Sequence, residues 1–123
     1  MDKPFTMPLD RFWEWLTGHP NCILRAGTPE AVVYDDEDLH WTFSTEGTQT
    51  LVVQVLRGKR LVGEVLVDAE QVAYVEALPQ EHPEEHTFEL VSESEDDHFA
   101  AWFFVLVHGL DEDGAEVAAG RVH

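Results

Sequence analysis

The stretch TLVVQVLRGKRLVGEVLV, residues 50–67, decides the fold class. Its two apolar, β-branched arms, Thr50 to Leu56 and Leu61 to Val67, flank Arg57-Gly58-Lys59-Arg60, a turn with glycine at its tip. Branched side chains pack well on a pleated surface and lose rotamer freedom in a helix. The stretch therefore reads as a β-hairpin. Both arms are nearly continuous in apolar character, which predicts a ribbon at the centre of a sheet.

Working outward, the neighbouring segments keep a period of two. Leu39, Trp41 and Phe43 alternate with His40, Thr42 and Ser44, as in a half-buried strand. Ala31 to Tyr34 and Leu39 to Thr45 are expected to form a second hairpin that turns at Asp35-Asp36-Glu37-Asp38. Cys22 to Ala26 is a short strand bounded by Gly27-Thr28-Pro29. Only Pro8 to Thr17 has a helical period, with Leu9, Phe12, Trp13 and Leu16 at i, i+3, i+4 and i+7. Pro8 suits its first turn, and Gly18 suits its end.

Downstream, Asp68-Ala69-Glu70-Gln71 is a turn, and a strand follows through Leu78. Thr87 to Val91 and Phe99 to Val107 are further strands, and Ala115 to Val122 is a last edge strand beyond the Asp111-Glu112-Asp113-Gly114 turn. Along Phe99 to Val107 both faces are apolar, so one should meet the core and the other a helix, a second layer or a partner. Strands joined by tight turns favour antiparallel pairing, because parallel pairs need long crossovers. The expectation is a single α+β domain over residues 1–123. An N-terminal amphipathic helix packs on a curved antiparallel sheet or half-open barrel of about seven to eight strands.

Charge is the main functional signal. Residues 1–61 hold nine Asp/Glu against six Lys/Arg, whereas residues 62–123 hold sixteen against Arg121 alone. The net charge is −18. Such a field repels nucleic acid and anionic lipid and attracts basic proteins and divalent cations. The function expected is an acidic interaction module that binds or inhibits a basic partner protein. It would resemble immunity proteins, nucleic-acid mimics or secretion chaperones only in size and charge. The alternative is a small enzyme or a ligand- or metal-binding domain whose acidity serves solubility or a salty cytoplasm.

The partner-binding residues nominated are Glu81, Glu84, Glu85, Glu93, Glu95, Asp96 and Asp97, in the two segments that bracket Thr87 to Val91. Trp15 lies off the helical stripe and is nominated as an exposed aromatic anchor. The basic tip Arg57, Lys59, Arg60 is too narrow for a nucleic-acid footprint, but it suits docking on the acidic half of a second copy.

No catalytic residue and no cofactor is nominated, for the chain has no nucleophile elbow, phosphate loop or C-x-x-C. His82 and His86 are four apart, a spacing that shares a metal on a helix, yet Pro83 takes the place of the general-base glutamate. Asp35 to Asp38 and Asp111 to Gly114 resemble fragments of calcium loops, and hairpin turns explain both better. The single cysteine, Cys22, reads as a small buried hydrophobe. With no apolar leader, no membrane-spanning run and no disulfide, the expected location is the cytoplasm.

Overall fold

The computed structural model describes residues 5–80, 82–110 and 116–117. In chain order the elements are β1 (Phe5–Met7), α1 (Leu9–Thr17), β2 (Ile23–Thr28), β3 (Ala31–Tyr34), β4 (Leu39–Glu46), β5 (Thr50–Arg57) and β6 (Arg60–Asp68). They continue with β7 (Tyr74–Ala77), β8 (His86–Ser94), β9 (Asp97–Leu106), β10 (Gly109–Leu110) and β11 (Glu116–Val117). Nine strands make two antiparallel sheets, one ordered β1-β7-β8-β9-β2-β3 and the other β4-β5-β6. The α+β class and the antiparallel pairing agree with the sequence reading. The strands are more numerous than expected, they divide between two sheets, and they do not close a barrel.

The decisive hairpin forms as read. Arg57 opposes Arg60, and Gly58 at φ 62° supplies the positive backbone angle that a two-residue turn requires. Its position differs from expectation, since only β5 is flanked on both sides and β6 is the edge. Leu61, Val62 and Leu66 on that edge are exposed. Val65 and Val67 face inward, so alternation, not continuous burial, governs β6.

A second correction concerns β3 and β4, which do not pair. β3 folds back on β2, from Thr28 opposite Ala31 to Arg25 opposite Tyr34, while β4 joins β5. The turn at Pro29-Glu30 takes up the reversal, which leaves Asp35 to Asp38 to carry the chain from one sheet to the other. Gly27 makes this tight, because a Cβ there would collide with the Ala31 carbonyl oxygen. Trp41 Nε1 donates to Asp35 Oδ1 at 2.8 Å, and Asp35 N donates to the Leu24 carbonyl at 2.9 Å. Those bonds fix the crossing.

α1 keeps its expected stripe, with Phe12 and Leu16 fully buried and Leu9 and Trp13 packed on the core. It touches both sheets. The Phe12 ring lies 5.0 Å from Phe88 and 5.7 Å from Phe104 on the larger sheet, and Trp13 meets Phe43 of β4 edge-on at 5.6 Å. One buried cluster joins the helix to both sheets, with Trp41, Val53, Val55, Val65 and Val67 contributed by the smaller. β1 was not anticipated. It pairs with β7 from Phe5 opposite Ala77 to Met7 opposite Val75.

Residues 69–71 form a single 3-10 turn, opened by Asp68 accepting from Glu70 N, and β7 follows as expected. The Asp111 to Gly114 turn lies outside the described residues, as does most of the expected last strand; Glu116–Val117 pairs with Gly109–Leu110. No helix among the described residues is long and apolar enough to cross a membrane.

Candidate functional site

Directly opposed residues of an antiparallel ladder share a face, so the register defines both surfaces of the larger sheet. Ala77, Phe88, Phe104 and Ala26 form one cross-strand row and belong to the core. The adjacent row runs Thr6, Glu76, Glu89, Phe103, Gly27, Val32 and faces outward. A second outward row carries Thr87, Val105, Arg25 and Tyr34. Thus β9 sends Trp102, Phe104 and Leu106 inward and Phe103 and Val105 outward. Its second apolar face is the outer side of the sheet, where Tyr34 is exposed, Val32 and Phe103 are half-buried and Val105 is buried.

From Glu85, just before β8, the alternate positions run Thr87, Glu89, the buried Val91 and Glu93, which sets carboxylates at every fourth residue. Glu89 stands opposite Glu76 on β7 and opposite Phe103 on β9. Desolvation raises the Glu89 carboxyl above the usual carboxylate value, and the negative charge of Glu76 adds to the rise. Among the described residues no cation lies within ion-pair distance of either group. Like charges directly opposite each other destabilise a sheet.

The nominated acids divide between the two ends of β8. Glu93, Glu95, Asp96 and Asp97 are exposed in and beside the β8–β9 turn, where His98 Nδ1 lies 3.0 Å from Glu93 Oε2. Glu84 and Glu85 sit at the opposite end, Glu85 eight residues from Glu93, or about 26 Å along an extended strand. Glu84 is exposed. Glu85 Oε1 accepts from Arg25 Nη2 at 2.9 Å. That hydrogen bond holds its carboxyl below the usual range despite the opposing effect of burial, with help from the charges of Arg25 and His82. Glu81 lies outside the described residues.

Trp15 is not an exposed anchor. It is half-buried, with its ring 4.8 Å from His19, 5.4 Å from Phe88 and 6.1 Å from Phe12. Its indole N–H is buried and finds no acceptor among the described residues. The i, i+4 histidines do not share a face of a helix, because residues 82–85 form a turn and His86 begins β8. Among the described residues no three His, Cys, Asp or Glu side chains converge as a metal site. At the basic tip, Arg57 Nη2 lies 3.8 Å from Asp36 Oδ2 of its own chain.

Sequence reasoning missed two arrangements. Glu76 and Glu89 meet only through the β7–β8 register, which no local signal announces. Cys22, half-buried, has its Sγ 3.2 Å from His108 Nδ1, a contact made by the pairing of β2 with β9. The exterior face can hold cationic groups against carboxylates while apolar stems lie on the half-buried Phe103. In comparisons with known proteins, no family model matches the chain, and no curated protein or solved structure shows a significant similarity to it.

Proposed function

We propose that the protein binds a basic partner protein through the exterior face of its six-stranded sheet. The observation that carries this reading is the Glu76–Glu89 pair beside Phe103, which has no cation within ion-pair distance among the described residues. A lysine or arginine laid on that face would place its apolar stem on Phe103 and its charge between the two carboxylates. It would remove a repulsion that the free protein tolerates. Glu93, Glu95, Asp96 and Asp97 extend the same field to one end of the sheet, where they steer a cationic surface towards it. The overall charge of −18 disfavours nucleic acid as the direct ligand.

The test is an NMR titration of the isotope-labelled protein with a short peptide of alternating lysine and leucine, with an acidic peptide as control. Saturable shifts should concentrate at Tyr74, Glu76, Glu89, Val91 and Phe103. They should weaken as salt rises and in Glu76→Gln/Glu89→Gln. Shifts spread evenly over every acidic surface, or an affinity unchanged in the double variant, would reject this face.

A further inference from the structure

A cavity of about 350 Å³ opens at the end of the exterior face, lined by Arg25, Leu78, Pro79, His82, Glu85 and Thr87. Its volume falls at the lower end of the roughly 300–1,000 Å³ found for small-molecule sites. The lining comes from three separate places. β2 contributes Arg25, β8 contributes Thr87, and the β7–β8 connection contributes the rest. Leu78 N donates to the Thr87 carbonyl at 3.0 Å, which ties that connection to the sheet.

Arg25 is the only lysine or arginine in the strands of the six-stranded sheet. It reaches across β9 to Glu85, and the two side chains are 31% and 34% exposed. The pair uses Nη2 and Oε1. A guanidinium has five N–H donors and a carboxylate two oxygens, so each group retains capacity for a further partner. Leu78 and Pro79 form an apolar wall beside them.

We propose that this cavity binds a free α-amino acid with an apolar side chain. The ligand's carboxylate accepts from the remaining N–H groups of Arg25, its ammonium donates to Glu85 Oε2, and its side chain lies on Leu78 and Pro79. An α-amino acid carries both charges on one carbon, so it completes a four-charge ring without separating Arg25 from Glu85. A zwitterion also brings no net charge into a strongly anionic molecule, whereas a simple anion would be repelled. Glu85 is ionised for this role throughout the neutral range, because Arg25 holds its carboxyl below the ordinary value.

The test is a calorimetric and NMR titration of the whole chain at neutral pH with L-leucine. Three compounds that each lack one feature serve as comparisons: leucinamide without the carboxylate, 4-methylpentanoate without the ammonium, and glycine without the side chain. Saturable binding of L-leucine is expected, with shifts at Arg25, Leu78 and Thr87. Each deleted feature should weaken binding at least about tenfold. Arg25→Gln and Glu85→Gln should do the same, and the ligand series on the unaltered chain decides the matter even where a variant folds poorly. Absence of saturation at about 10 mM, where a millimolar site would be mostly filled, overturns the proposal. Equal binding of leucinamide or 4-methylpentanoate also overturns it. This site and the basic partner's face stand or fall separately, since one titrates with leucine and the other with a cationic peptide.

Discussion

Glu76 and Glu89 face each other across β7 and β8 on the exterior of the larger sheet, and Glu89 holds its proton more tightly than an ordinary carboxyl. A folded-state value raised above the unfolded one means that ionising Glu89 costs stability. The cost is absent at pH low enough to protonate the group in both states, and it grows as pH rises through the raised value. Glu89→Gln should therefore stabilise the protein at pH 7 by roughly 0.5–1 kcal/mol, a magnitude typical of a cross-strand pair. At pH 4 and below the gain should vanish. Urea unfolding at the two pH values measures it. If the proposed face is right, the same substitution should also weaken binding of a lysine-rich peptide, so stability and recognition would move in opposite directions.

The Arg25–Glu85 pair predicts the reverse pH dependence. Its folded-state carboxyl lies below the ordinary value of 4.5. The stabilisation is therefore present above that value and is lost as pH falls through the lower, folded-state one. Both side chains are about one-third exposed, so solvent screens the pair and the effect should be modest. Glu85→Gln should melt lower than the parent at pH 7, and the two curves should converge as pH falls below the folded-state value. Parallel curves at all pH values would show that the pair makes no contribution through charge.

How much of this was readable beforehand depended on the range of the interaction. α1 was readable because Leu9, Phe12, Trp13 and Leu16 encode a face within a few residues of one another. The β5–β6 hairpin was readable because Gly58 sits where a tight turn needs a positive φ. The β3–β4 pairing misled because Pro29-Glu30 and Asp35 to Asp38 both carry turn-forming residues, and such a signal does not say which strands hydrogen-bond across it. β1 is three residues long, too short for any period to show. The exterior acidic line was half visible, since Glu85 and Glu93 were nominated, yet Glu89 and its opposition to Glu76 required the register. Cys22 and His108 are 86 positions apart, beyond any local pattern.

The crossing between the sheets depends on Asp35. Its carboxylate accepts from the indole of Trp41, a residue only 5% exposed. Asp35→Ala would leave a largely buried N–H without its acceptor, a loss of about 1–3 kcal/mol. Asp35→Asn keeps an acceptor oxygen and should recover part of that. Asp36→Ala removes a long contact to Arg57 and a solvent-exposed hydrogen bond from Glu37 N, so its effect should be smaller than that of Asp35→Ala. Equal losses for Asp35→Ala and Asp36→Ala in chemical denaturation would mean that acidity of the segment, not the Trp41 bond, matters.

Phe12 and Trp13 are neighbours on α1 that hold different sheets, which allows their contributions to be separated. Phe12 is wholly inaccessible, among Phe88, Phe104 and Trp15. Phe12→Ala should cost about 3–5 kcal/mol, because the surrounding rings cannot collapse into the space left behind. Trp13 is only half-buried, and among the described residues its one ring contact is with Phe43. Trp13→Ala should cost less, and its loss should fall mainly on the packing of the three-stranded sheet. Hydrogen exchange distinguishes the two: Phe12→Ala should lower protection in β8 and β9, and Trp13→Ala in β4 and β5. If both variants lowered protection equally in all four strands, the sheets would open together, and the helix would be joining them rather than serving each in turn.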